Sequence, residues 1–285
     1  MAVLGKLHSY NRLIVLAHSV FALPFALWGY VLGSSQVGFS WTKLLWVLVA
    51  VVSARTSAMA FNRYADRRWD ARNPRTRSRE IPQGAIRPSE ALALSVASAL
   101  VFFMAAWFLS PLCAALAPIA LVVLLGYSYT KRFTALSHFV LGGALGLAPV
   151  GAYLAVTETF AFEPVLIGLA VLFWVAGFDI LYALQDLAFD REVGLYSIPA
   201  TLGEAKARRI ALLSHILATL ILFYVGIRLY PKLSLYWVGW VLFTVFVFRQ
   251  HWVACQISAI NRAFFTHNGW ASLLLGVLAI LDTLV

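Results

Sequence analysis

The chain has 285 residues, 62% of them hydrophobic and only 12% charged, with a net charge of +10. Soluble domains are about 45–50% apolar and about 25% charged, so this composition excludes an ordinary soluble globule, whose exposed apolar patches would aggregate. It also argues against a nucleic-acid partner, which needs a basic face on a soluble fold, because the Lys and Arg residues here sit in short gaps between apolar runs.

A helix crossing a bilayer needs about 20 mostly apolar residues. Backbone groups cannot stay unpaired in lipid, so such spans are helical. In chain order, nine segments meet the pattern: 13–33, 42–64, 89–110, 111–127, 136–156, 164–185, 209–227, 235–248 and 264–284. The first is too long for a cleaved signal core and has no small-residue cleavage site, so it reads as a retained span. Pro24, Pro118 and Pro149 fall inside spans and predict kinks. Gly142 and Gly146, within GGALGLAPVGA, have the spacing of close helix contact. His18 and His138 read as core histidines. Cys113 and Cys255 suggest neither a disulfide framework nor a metal cluster. The expected fold is an all-α membrane bundle forming one domain over 1–285, with a weak internal repeat of 1–132 and 133–285.

Nine spans put the amino terminus and alternate connections on one side. That side carries Lys6, Arg12, the run from Arg63 to Arg87, Lys131, Arg132, Arg191, Lys206, Arg208, Arg209, Arg249 and Arg262, whereas the other carries Lys43, Arg228 and Lys232. The asymmetry predicts a cytoplasmic location for the basic side and an inner-membrane protein.

Acidic residues are scarce, and two clusters of them fall on that same side. Asn62, Asp66 and Asp70 end the second span in NRYADRRWD. Asp179, Asp186 and Asp190 end the sixth in DILYALQDLAFD. Residues four and seven apart share a helix face, so each cluster forms a stripe. A shift of 124 maps Arg55, Asn62 and Asp66 onto Asp179, Asp186 and Asp190. Carboxylates so spaced suit Mg2+, which takes one or two protein carboxylates and completes its shell with water and substrate phosphate. Two facing stripes would hold metal against a diphosphate, and its departure would leave an allylic cation. Tyr127, Tyr129, Tyr182, Trp69 and Phe178 offer ring faces to such a cation. Arg55 and Asp179 lie within spans, where a charge is costly and marks a functional candidate.

At these residues the chain resembles the UbiA superfamily of intramembrane prenyltransferases. NRYADRRWDARNPRTRSREIPQG is similar to its first motif, DILYALQDLAFDREVGLYSIPATLG to its second, and YSYTKR (127–132) to its tyrosine- and lysine-bearing loop. The resemblance implies nine helices around a central cavity with cytoplasmic cap loops. It also implies Mg2+-dependent transfer from a prenyl diphosphate to a small aromatic acceptor. By matching position, Asn62, Asp66, Asp70, Asp186 and Asp190 would serve the magnesium–diphosphate site. Lys131 would contact diphosphate together with Arg67 or Arg132, and Tyr127 would stabilise the cation. Arg55 would hold an acceptor carboxylate or a phosphate oxygen, and Asp179 and Tyr182 would line the substrate site. The wording of the motifs points to the quinone-type branch acting on 4-hydroxybenzoate or on a dihydroxynaphthoate. A secondary transporter and an alcohol phosphotransferase are the competing classes.

Overall fold

The computed structural model describes residues 9–10, 12–13, 21–232, 234–255, 260 and 266–285. Parts of the first and ninth expected spans, with Lys6, His18 and Arg262, lie outside the described residues. Among the described residues every regular element is helical. In order these are α1 (Leu23–Val37), α2 (Trp41–Arg72), α3 (Pro88–Leu109), α4 (Pro111–Thr130), α5 (Ser137–Thr157), α6 (Phe162–Ala183), a 3-10 turn (Leu184–Asp186), α7 (Leu187–Val193), α8 (Ile198–Leu202), α9 (Glu204–Leu229), α10 (Leu235–Val253) and α11 (Asn268–Leu284).

Six of these are long and apolar enough to cross a membrane: α2, α3, α4, α5, α6 with its continuation into α7, and α9. The other three expected spans fall short by length or composition. Helix α1 has 15 described residues and α11 has 17, and α10 ends in the polar run Arg249, Gln250 and His251. Pro118 and Pro149 sit inside α4 and α5 as expected. Pro24 instead falls in the first turn of α1, where it removes no helical hydrogen bond. Ser40 and Ser110 cap α2 and α4, accepting from the Lys43 and Cys113 amides at 3.3 and 3.1 Å.

Lipid supplies no hydrophobic drive between helices, so close packing and interhelical hydrogen bonds must hold the bundle. Ser57 and Ser95 link α2 to α3, each hydroxyl donating to the other's carbonyl at 2.9 and 3.0 Å. The α5–α6 and α1–α5 contacts are made backbone to backbone. A Cβ built on Gly142 would stand 2.2 Å from the Leu172 carbonyl oxygen, one on Gly146 would meet Gly168 O at 2.5 Å, and one on Gly29 would meet Pro149 O at 2.2 Å. The Gly142–Gly146 spacing in the sequence is thus a helix contact. Buried aromatics from α1, α6 and α10 form a core, among them Phe25, Trp28, Trp174, Tyr236 and Phe243. The Trp28 indole donates to Tyr230 Oη at 2.9 Å.

These contacts set a stability test. Gly146→Ala forces a methyl against backbone that cannot give way, and should destabilise by about 1–3 kcal/mol, the cost of overpacking. Gly151, where an added Cβ meets nothing within 4 Å, should tolerate alanine without loss. Thermal unfolding in detergent, followed by size-exclusion chromatography, compares the two; equal midpoints would remove the contact from the account.

Candidate active site

Helix α2 has 32 residues. At 1.5 Å per residue it runs roughly 48 Å, against about 30 Å for a hydrocarbon core, so one end must project. The sequence pattern ended this span at residue 64, but the helix continues through Arg72. Asn62, Asp66 and Asp70 therefore occupy one face of its projecting tip. The Asp66 side chain is buried. Its Oδ2 accepts from Lys131 Nζ at 2.5 Å and from Asn62 Nδ2 at 3.3 Å. Asn62 Nδ2 also lies 3.5 Å from Ser128 Oγ on α4. Asp70 Oδ1 accepts from Arg79 Nη1 at 2.7 Å.

The second cluster is not one unbroken stripe. The 3-10 turn at Leu184–Asp186 interrupts the helix between Asp179 and Asp190. Asp186 ends that turn and receives Asn73 Nδ2 and Arg75 Nε on Oδ1, both at 2.8 Å, and Arg75 Nη2 on Oδ2 at 2.5 Å. The remaining Arg75 nitrogen donates to Tyr182 Oη at 2.8 Å. The segment leaving the first acidic tip thus grips the second directly. Burial would lower the Arg75 pKa, but its Asp186 and Tyr182 contacts outweigh this and raise it above the ordinary value, so the cation persists. Asp190, in α7, accepts from Ser197 Oγ at 3.0 Å and lies within electrostatic reach of Asp186 and Lys131.

A second tier lies deeper. Arg55 and Asp179 each precede the upper groups by seven residues, two helical turns or roughly 10 Å. Tyr127, on α4, is within electrostatic reach of both, and of Asp66 and Arg63. The Arg55 Nε is buried with no hydrogen-bond partner among the described residues. Asp179 Oδ2 is 2.7 Å from His138 Nδ1. His138 is buried, as its sequence setting predicts, yet it is bonded to a carboxylate.

Of the two arginines expected beside Lys131, Arg132 is the one near Asp66, with Nη2 3.9 Å from Oδ1. Its guanidinium lies over the rings of Trp69 and Tyr129, 4.5 and 4.3 Å from their centroids. Arg67 engages Tyr64 instead, donating to its carbonyl at 2.6 Å and lying over its ring. Phe178 packs with Phe21 and Trp174 in the core. Of the five rings read as facing a cation, then, Phe178 is a core residue and Trp69, Tyr129 and Tyr182 already face arginine. Sequence reading did not single out Asn73, Arg75, Arg79 or Ser197. The usable signal was Asn-Pro directly after the helix: proline disfavours helix in the residue before it, which turns the chain and brings Arg75 across.

The oxygen donors suit a hard cation that shares its shell with substrate. The buried Asp66 Oδ1 has no hydrogen-bond partner among the described residues. Asp70 and Asp190 each add a carboxylate, and Asn62 adds an amide oxygen. No group of three or more His, Cys, Asp or Glu that could hold a metal ion occurs among the described residues.

Residues 22–278 match the model of the UbiA prenyltransferase family. The 4-hydroxybenzoate octaprenyltransferase of Nitrosomonas europaea is 32% identical over 100% of this chain and 98% of its own. That of Aeromonas hydrophila is 32% identical over 85% of this chain and 84% of its own. Among solved structures, a UbiA homolog from Aeropyrum pernix superposes with a TM-score of 0.84 at 32% identity, covering 93% of this chain and 98% of that one. A UbiA homolog from Archaeoglobus fulgidus bound to GPP and Mg2+ shares the fold with a TM-score of 0.74 at 19% identity, covering 97% and 100%. With two acidic helix tips joined by hydrogen bonds and a family match spanning nearly its whole length, the chain belongs to the UbiA prenyltransferase family and is an integral membrane prenyltransferase.

Proposed function

We propose that the chain transfers an isoprenyl group from a prenyl diphosphate to 4-hydroxybenzoate or a close analogue, with Mg2+ held between the two acidic tips. The reading places this site on the cytoplasmic side of the inner membrane, within nine spans around a central cavity. One observation supports it most: Arg75 and Asn73, just beyond the first acidic tip, hydrogen-bond to Asp186 on the second. The acceptor follows the relatives' names, and the donor and metal follow the GPP and Mg2+ held by the same fold in the Archaeoglobus fulgidus homolog.

In this reading Asp66, Asp70, Asp186 and Asp190, with Asn62, would hold the metal. When bound, Mg2+ neutralises charge on the leaving diphosphate. Lys131 and Arg132 now face Asp66, Arg75 pairs with Asp186 and Arg79 with Asp70, and these four cations are the ones that would meet diphosphate oxygens. The bond between the prenyl C1 and the diphosphate oxygen breaks, and its electron pair leaves with the diphosphate. Tyr127 faces the resulting allylic cation. The ring carbon beside the acceptor hydroxyl bonds to C1, and the ring proton passes to the released diphosphate, restoring aromaticity. Arg55 holds the acceptor carboxylate in the deeper tier, opposite Asp179. A transporter site would lie near the bilayer midplane, whereas the carboxylates gather at helix ends.

Purified protein supplied with geranyl diphosphate and 4-hydroxybenzoate should yield the prenylated acid, identified by its mass. Product should disappear with EDTA and return with Mg2+. Asp66→Ala and Asp190→Ala should each lower turnover more than roughly a hundredfold, as removal of a main electrostatic element does; unaltered turnover in both would end the proposal. Prenylated dihydroxynaphthoate as the sole product would replace the acceptor but keep the chemistry.

Arg55→Gln should raise KM for the aromatic acid by about tenfold or more, the loss of one hydrogen bond to a charged group. KM for the prenyl diphosphate should hold. The reverse pattern would assign Arg55 to a phosphate oxygen.

A further inference from the structure

His138 sits in the first turn of α5, 3% exposed, with a different partner on each ring nitrogen. Nδ1 lies 2.7 Å from Asp179 Oδ2 on α6. Nε2 receives the backbone amide of Ile198 at 3.3 Å. An amide can only donate, so Nε2 must carry the lone pair and Nδ1 the proton. The ring therefore has one tautomer, donating to Asp179 and accepting from Ile198.

Ile198 opens α8, and the residue before it, Ser197, donates to Asp190 Oδ2 at 3.0 Å while capping the same helix. Tyr196, one residue earlier, donates its amide to the Lys131 carbonyl at 2.7 Å. The short segment from Gly194 to Ile198 thus lies against Asp190 and Lys131, and its far end rests on His138. Gly194 has φ +72°, a left-handed turn that lets the segment double back from α7.

We infer that His138 is a positioning residue that braces both tiers of the site at once, aiming Asp179 through Nδ1 and fixing the Ser197–Ile198 support of Asp190 through Nε2. This rests on the proposed function for the meaning of the two tiers: Asp179 faces the aromatic acceptor, and Asp190 faces the metal and diphosphate. Neither carboxylate has a free choice of rotamer while its partner is held. One side chain thereby couples the acceptor pocket to the diphosphate pocket without touching either substrate.

The two arms can be cut separately. Asparagine places its amide nitrogen near Nδ1, so His138→Asn keeps a donor for Asp179 and drops the acceptor for Ile198. Glutamine reaches the Nε2 position, so His138→Gln keeps the Ile198 acceptor and drops the donor. In the full-length protein, His138→Gln should raise KM for 4-hydroxybenzoate about tenfold, the cost of one charge-assisted hydrogen bond, with geranyl diphosphate binding in Mg2+ unchanged. His138→Asn should weaken Mg2+-dependent geranyl diphosphate binding by a similar factor and leave the acceptor KM in place. Ser197→Ala, which removes the Asp190 link together with the α8 cap but leaves His138 in place, should resemble His138→Asn and guards against a His138 variant that fails to fold.

A readout independent of turnover separates this inference from the functional reading. In ligand-free protein, hydrogen exchange over residues 194–198 should accelerate in His138→Asn and stay at the wild-type rate in His138→Gln. Equal exchange in the two variants, or an equal loss of both binding functions, would overturn the brace. Accelerated exchange in His138→Asn alone, with no prenylated product from the wild-type protein, would keep the brace and refute the function.

Discussion

Carboxylates in and beside lipid are tolerable only when a cation or a hydrogen-bond donor meets them, and that requirement organises the active end of this bundle. Asp66 has Lys131, Asp70 has Arg79, Asp186 has Arg75 and Asp179 has His138. Each pair joins two different stretches of chain. Satisfying the charges therefore also brings the helix ends together: Lys131 brings the end of α4 to α2, and Arg75 draws the α2–α3 connection across to the end of α6. Members of the basic runs are thus the same residues that pair these carboxylates.

The rest of the bundle makes those pairings reproducible. Where Gly142 meets Leu172 and Gly146 meets Gly168, α5 and α6 touch through backbone rather than flexible side chains. A helix pair fixed in this way delivers His138 and Asp179, which sit on its two members, to within one hydrogen bond of each other. The 3-10 turn after α6 then carries Asp186 to the loop from α2 and sends Asp190 on toward Ser197. Packing in the apolar half thus determines which polar groups can find each other at the charged end.

Much of this was legible in the sequence because it is periodic. The four-residue spacing of Asn62, Asp66 and Asp70 requires one helix face, and the scarcity of acids left few other places to look for chemistry. Gly142 and Gly146 likewise carried their meaning in their spacing. The features that were not legible depend on tertiary contact. Nothing in an apolar run marks the 3-10 turn at 184–186, and nothing near His138 in sequence names Asp179 or Ile198. The tip of α2 outran its expected end because five of residues 65–72 are charged, and hydropathy stops where lipid stops, not where the helix does. Arg75 and Arg79 could be seen as part of a basic run but not singled out from it. Arg67 looked equivalent to Arg132, yet only the latter lies near Asp66.

The self-compensated ion pairs have one more consequence. A cleft lined by bare carboxylates would act as a chelator, collecting any divalent ion that drifted past and holding it whether or not there was work to do. Here Asp66, Asp70 and Asp186 already have an internal counter-charge, so a lone metal ion would compete there with a tethered lysine or arginine and gain little by winning. An arriving ion that brings its own anion offers the displaced side chains something to hold, and the exchange becomes nearly even. On the proposed function the resting protein would in this sense be gated by electroneutrality, taking up the ion and the anion together more readily than either alone.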